Sequence, residues 1–384
     1  MLSEFKVKLR TLLALALVGI AGTACSGLIY DDPEDCPEYR VNFRYDWNMK
    51  YADAFAHEVK AVTLYVLDTK GSIVASASES GEALAAQDYS MVVKVPAGKY
   101  DLLAWCDANE IGTYSFSEGT QKTDLGCSLN KKHSEGGSAY VDTDLDRLYY
   151  GFLEGADFSA KKGKVTATVS LVKNTNHFNV VLQHISGEPV DCDDFDFSIS
   201  ADNALMSWDN SLLPDENVEY RAWSVYSGSV ALGTRASALA EPTAVAEPTA
   251  LAEPSAVAEL VEVPASTELA EPTAVAEPVE VPASTRADAL NVAIAELTTG
   301  RLVKGHSPRL NIRNNKTGET VLSVPLIDYA LLVKGKYNDS LDDQEYLDRQ
   351  DEYDMVFFLD EGDRWFDSFI YINSWKVVLQ HTEL

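Results

Sequence analysis

Val165-Thr166-Ala167-Thr168-Val169-Ser170-Leu171 alternates apolar and hydroxylated residues at every second position. A period of two puts Val165, Ala167, Val169 and Leu171 on one face of an extended chain and Thr166, Thr168 and Ser170 on the other, the pattern of a half-buried strand. Working outward, the same alternation recurs. Val41, Phe43 and Tyr45 share a face within Arg40 to Asp46, and Val62, Leu64 and Val66 oppose Thr63 and Tyr65 within Ala61 to Leu67. Asp68-Thr69-Lys70-Gly71 reads as a turn into Ser72–Ser76, and Pro96-Ala97-Gly98 turns a strand at Tyr89–Val95 into one at Lys99–Cys106. Phe178 to Gln183 is a further strand. Phe195, Phe197 and Ile199 open a second set that continues through Leu310–Arg313, Val321–Val324, Met355–Leu359 and a final strand at Ile370–Leu379. Only Leu326–Val333 and Leu341–Asp351 read as helices. Many short strands punctuated by Gly, Pro and Asn predict an all-β fold of the sandwich type.

A chain of 384 residues, 46% of them hydrophobic, can bury two cores of ordinary size. Ile185-Ser186-Gly187-Glu188-Pro189 interrupts the pattern, so an N-terminal domain is expected over residues 36–187 and a C-terminal one over 188–384. Inside the second lies a run of different composition, residues 236–286. Ala240-Glu241-Pro242-Thr243-Ala244-Val245 repeats as Ala246-Glu247-Pro248-Thr249-Ala250-Leu251, and the run holds nine Glu, no Lys and no aromatic residue. Pro at this frequency forbids a continuous helix, and side chains this small do not offset the entropy of ordering, so the run is expected to be a disordered, solvated insert. Thr234-Arg235-Ala236-Ser237-Ala238-Leu239 is echoed by Thr285-Arg286-Ala287-Asp288-Ala289-Leu290. Deleting 236–286 would therefore rejoin the chain at an equivalent point, which makes the run an expansion within a domain and not a linker between domains.

The N-terminus reads as a targeting segment over residues 1–24. Lys6, Lys8 and Arg10 precede an apolar stretch from Thr11 to Ile20 that is too short to span a bilayer, and small residues Ala21 to Ala24 lead to Cys25. A Cys in that place resembles the lipid-bearing Cys of bacterial lipoproteins, although Gly22 stands where Leu is usual. Lipidation at Cys25 is the expectation, with ordinary cleavage and a plain thiol as the alternative. Acyl chains there would hold the protein on a membrane, since each buried CH₂ contributes about 0.8 kcal/mol. Residues 25–35, with Asp31-Asp32-Pro33-Glu34-Asp35, form an acidic linker. The net charge of −29 and the lack of clustered Lys and Arg argue against a nucleic-acid partner. Export permits disulfides, and Cys36, Cys106, Cys127 and Cys192 allow three pairings, of which the sequence selects none.

Chemistry is not evident. The six His form no metal-binding spacing, and no nucleophile elbow, phosphate loop or dinucleotide fingerprint occurs. Asp142, Asp144 and Asp146 alternate, as do Asp194 and Asp196 behind Asp191 and Asp193, but Arg147 and Leu153 stand where a calcium loop needs Gly and Glu. Glu345, Asp348 and Arg349 admit an acid–base reading, against which stands simple pairing with neighbours. Trp208 and Trp223 are candidates either for a contact patch or for core. No catalytic, metal-binding or cofactor-binding residue is assigned, and no enzymatic activity is expected.

Taken in order, Cys25, Asp35-Cys36-Pro37, Arg44-Tyr45-Asp46-Trp47-Asn48-Met49, Tyr51-Ala52-Asp53-Ala54-Phe55, Val62-Thr63-Leu64-Tyr65-Val66, Pro96-Ala97-Gly98-Lys99-Tyr100, Thr299-Gly300-Arg301-Leu302, Pro325-Leu326-Ile327, the Gln344–Tyr353 run and Ile372-Asn373-Ser374-Trp375 resemble the FimB/Mfa-type anchor family of type V fimbriae. The resemblance implies two transthyretin-like β-sandwich domains in tandem and attachment to the outer membrane through lipid on Cys25. It implies a place at the fimbrial base, where the protein holds the shaft and limits its growth by strand addition. The implied partners are shaft or accessory subunits and the outer membrane, at the cell surface. The alternative is a surface lipoprotein that binds glycan or host protein.

Overall fold

The computed structural model describes residues 36–107, 112–231, 289–335 and 338–379. The targeting segment 1–24, Cys25, the linker 25–35 and the insert 236–286 lie outside the described residues.

The first sheet has seven strands in the order β3 (Ile73–Ser80), β2 (Ala61–Leu67), β5 (Gly98–Asp107), β10 (Leu148–Phe158), β11 (Lys164–Lys173), β1 (Glu38–Trp47) and β4 (Met91–Val93). Its neighbours are antiparallel except β1 and β11, which run parallel from Glu38 opposite Lys164 to Trp47 opposite Val172. The alternation read from the sequence decides which side is buried. Val41, Phe43 and Tyr45 of β1 meet Val62, Leu64 and Val66 of β2 in one core. A short helix α1 (Phe55–Glu58) and a 3-10 turn at Glu82–Ala85 cover that core with Phe55 and Leu84. The ring of Tyr39 stacks on Phe158 at 4.9 Å, and that of Phe43 on Phe55 at 5.6 Å.

The second core lies between two six-stranded sheets. One runs β16 (Ser224–Ala231), β17 (Ala289–Gly300), β12 (Thr175–His184), β20 (Glu352–Leu359), β21 (Phe369–Ile372), β22 (Trp375–Val378). The other runs β19 (Thr320–Pro325), β18 (Arg309–Asn314), β13 (Phe195–Ala201), β15 (Val218–Arg221), β9 (Ala139–Val141), β8 (Lys132–His133). A small sheet of β14 (Leu205–Ser207), β7 (Gly126–Leu129) and β6 (Tyr114–Phe116) adds to it. Phe178, Val180 and Leu182 from β12 pack with Phe197, Ile199, Leu310 and Ile312 from the facing sheet, and Phe178 lies flat on Tyr353 at 5.0 Å. Removing one such ring would cost about 3–5 kcal/mol, because the close-packed surroundings collapse only partly into the cavity. The all-β, two-sandwich architecture is the expected one.

Residues 36–187 supply strands to both cores. β12 follows β11 after the single residue Asn174, yet pairs with β17 and β20 in the second unit. Strands β6 to β9 send Tyr114, Cys127, Leu129 and Val141 into the same core. The outer side of the seven-stranded sheet joins it as well, through Leu103, Trp105 and Tyr150.

Helices α2 (Leu326–Leu332) and α3 (Asp343–Arg349) fall where the sequence places them. Asp342 caps α3 by accepting from the Glu345 amide at 2.7 Å. One element differs. Ile370–Leu379 is not a single strand but the hairpin β21–β22, turned at Asn373 and Ser374, whose φ angles are 48° and 67°. Two successive left-handed residues are what a tight hairpin turn demands. The turn reverses the faces after Ile372, so Trp375 lies opposite Ile372 and Lys376 opposite Tyr371.

Candidate functional site

Two places on the described surface carry more than packing. One is the junction of the two cores. The other is the set of sheet edges.

The junction is built from the end of β1, α1, the turn between β11 and β12, and α3. Lys173, the last residue of β11, has an almost buried ammonium that reaches Asp351 at 2.5 Å and Glu58 at 3.2 Å. The Tyr149 hydroxyl donates to the same Glu58 carboxylate at 2.8 Å. Burial first, then the charge of Glu58 and the bond to it, push the Tyr149 phenol far above its usual range and keep it a donor. Tyr45 is shifted the same way, by burial first and then by Asp351 and Glu58. The Arg349 guanidinium from α3 sits 4.6 Å from the centroids of both Trp47 and Tyr51, donates to the Asp46 carbonyl at 3.2 Å and binds Glu345 at 2.9 Å. A planar guanidinium can stack on aromatic rings while its N–H groups bond elsewhere, which an ammonium cannot do. Just beside it Arg301 grips Asp348 through two bonds of 2.8 and 2.7 Å and donates to the Asn210 carbonyl at 2.7 Å. Asn174 and Asn210, both buried, exchange amide bonds of 2.6 and 3.1 Å.

The sequence segments 44–55, 299–302 and 344–353, far apart in the chain, therefore meet at one place. Glu345, Asp348 and Arg349 are brought near one another but are committed to these structural partners, so the acid–base reading has no support here. A cleft of about 750 Å³ opens at the junction between Asn48, His57, Glu58, Arg147 and Asp351.

Most of the acidic residues resolve into separate pairings, while Asp191 and Asp193 stay grouped with Cys192, their ligand atoms within 4.8 Å of one another. Asp142 binds Lys132, Asp144 accepts from Thr298 and Arg147, and Asp146 accepts the Thr113 amide at 2.8 Å. Asp194 binds Lys316, and Asp196 accepts from Asn315. Cys106 is buried in the first core and Cys127 in the second. Trp208 is half-buried, edge-on to Phe152 with Lys122 over its face, and Trp223 is also half-buried. Among the described residues the exposed aromatics are Tyr51, Tyr226 and Trp375, the last on a segment whose faces the sequence suggests are largely buried.

The sheet edges are unequal. On the first sheet the start of β3 is covered by residues 120 and 121, through a bond from the Ile73 amide to the Thr120 carbonyl, and β3 carries Glu79. At the other edge β4 has three residues. β22 has four and includes Lys376, β8 has two, and β19 contains an irregular register and Pro325. β16 has eight residues without a charge, a Pro or a break in register.

No helix among the described residues is long and apolar enough to cross a membrane. The sequence profile of the fimbrillin-A associated anchor proteins Mfa1 and Mfa2 matches residues 33–249 and 258–381. No curated protein matches the chain. Among solved structures, a protein of Bacteroides thetaiotaomicron described as a candidate adhesin is 31% identical with a TM-score of 0.69, over 91% of this chain and 100% of that one. Another from the same organism, described as a candidate polysaccharide-binding protein, is 26% identical with a TM-score of 0.66, over 90% and 98%. The fimbrial anchor protein Mfa2 of Porphyromonas gingivalis shares the fold at 14% identity, with a TM-score of 0.57 over 89% and 99%.

Proposed function

We propose, from the premise that the chain belongs to the family of fimbrillin-A associated anchor proteins, that it is the base subunit of a cell-surface fimbria. In this reading lipid on Cys25 tethers it to the outer membrane, and strand addition to an open sheet edge holds the shaft and limits its length. The observation that supports this best is the family match over nearly the whole chain downstream of residue 33. The geometry agrees with a mechanical role. Charges at the junction are spent on holding two sandwiches together, and the fold and family are those of fimbrial structural and adhesin proteins.

Deleting the gene and imaging the cells tests the role. Shed or overlong fimbriae are expected, and normal attachment and length would refute it. Cys25→Ala should release the protein from membranes, and unchanged retention would remove the lipid from the account.

A second reading is favoured by the two Bacteroides relatives, one described as a candidate adhesin and the other as a candidate polysaccharide-binding protein. The site would then be an exposed aromatic surface. Tyr51, 55% exposed at the rim of the junction, is its best candidate. Loss of glycan binding in Tyr51→Ala with fimbriae intact would establish it.

A further inference from the structure

We propose that β16 is the edge that captures an extended strand of a fimbrial subunit, and that this strand carries a Lys or Arg where it passes Asp191. The proposal rests on the strand-addition reading above and names its site.

Proteins protect exposed edges by shortening them, bending them, or placing Lys or Pro on them. Each of the other edges of the three large sheets shows such a device or a covering segment. β16 shows none: Ser-Val-Tyr-Ser-Gly-Ser-Val-Ala pairs in unbroken register with β17 on one side and has no strand on its other side among the described residues. Among the described residues nothing bonds its backbone groups on that side, and the 3-10 turn at Cys192–Asp194 meets the strand through a side chain, the Ser227 hydroxyl donating to the Cys192 sulfur at 3.4 Å. Val225 and Tyr226 are 41% and 42% exposed, one on each face, so an added strand would find apolar surface above and below. Gly228 keeps the outward face flat. A Cβ there would stand 2.3 Å from the Ile294 Cδ1 atom, which instead lies across the strand. Alongside runs a groove of about 540 Å³, bounded by Pro189, Val190, Asp191, Ser227, Gly228 and Asn291.

The local charge selects the occupant. Asp191 is exposed at the groove, and Glu296 accepts the Tyr226 hydroxyl at 3.2 Å. An uncharged strand flanked by a basic residue fits this edge, whereas a second copy of so acidic a chain would bring like charge to it.

The test uses the full-length protein and, as probe, the purified major shaft subunit of the same fimbria. Val225→Lys/Tyr226→Lys should weaken binding by about tenfold or more, as a charged edge blocks pairing, while Val74→Lys on β3 binds like the unaltered protein. In the unaltered protein, amide exchange over 224–228 should slow when the subunit is added. This second readout does not depend on any variant folding. Undiminished binding by the β16 variant, with exchange there unchanged, overturns the proposal. Loss confined to Val74→Lys moves strand addition to β3, and no effect at either edge rejects strand addition itself. Faster exchange at 224–228 in a free protein lacking 236–286 would show the insert to be the occupant and would also overturn it.

Discussion

The junction of the two cores and the β16 edge lie at opposite extremes of polarity. At the junction, Lys173, Arg301, Arg349, Glu58, Asp348 and Asp351 are packed together, and each meets a partner of opposite sign. Along β16 there is no charged residue and one side of the strand has no described neighbour. A charge taken out of water is tolerable only if its partner is fixed, so buried ion pairs mark an interface that is permanently closed. An uncharged edge marks one that is left to be closed by something else. The contrast separates what holds this protein together from what it offers to others.

The contrast breaks most sharply at Arg301. Asp348→Ala removes one half of a nearly buried pair and leaves the guanidinium uncompensated, so unfolding free energy should fall by about 3–5 kcal/mol in a denaturant titration. Asn210→Ala comes next. It removes both amide bonds to Asn174 and places Ala at a φ of 64°, for an expected loss of about 2 kcal/mol. Arg349→Lys keeps the charge but gives up the stacking on Trp47 and Tyr51, and should cost about 1 kcal/mol by the same titration. Losses near zero in all three would show that the junction is not what couples the cores.

At the other extreme, deleting 236–286 should cost no stability: closing the short remainder in place of the long excursion between Ala231 and Ala289 saves at most about 2 kcal/mol of loop-closure entropy. The register explains why the domain tolerates it: Ala231 lies opposite Ala289, so the ends of the excursion are already paired. A large loss of stability in the deletion protein would make the insert part of the fold. The smallest effect concerns Asp343, which Lys304 and then Lys334 hold to about 2. A carboxylate with a lowered pKa contributes stability that is complete above its ordinary value near 3.8 and is lost as pH falls from there towards about 2. Asp343→Asn should flatten the unfolding profile in that window alone.

Much of the fold was legible because alternation is a local signal. The strands at Arg40–Asp46, Ala61–Leu67 and Val165–Leu171 and both longer helices need only their own residues to be seen. Pairing is not local. Nothing in Phe178–Gln183 says that β12 turns away from β11 to lie between β17 and β20, since either sheet would bury the same alternate residues. The hairpin at Asn373-Ser374 was hidden for a related reason. Apolar residues flank it on both sides, and Ser is an uncommon occupant of left-handed φ where Gly would have announced the turn. At the junction, charges at 345, 348 and 349 could be expected to find partners, but Asp46 and Arg349 are 303 residues apart, and only the folded chain brings them together.

The parallel pair β1 and β11 has a consequence for a tethered molecule. Tension entering before Cys36 draws β1 towards its N-terminus, and tension leaving through Asn174 into β12 draws β11 towards its C-terminus. Because the two strands point the same way, these pulls slide them past each other lengthwise. The ladder from Glu38 to Trp47 is then loaded as a whole instead of peeling one rung at a time. Single-molecule stretching between residue 36 and β12 should meet a high rupture force, and a low, gradual one would show that the load takes another path.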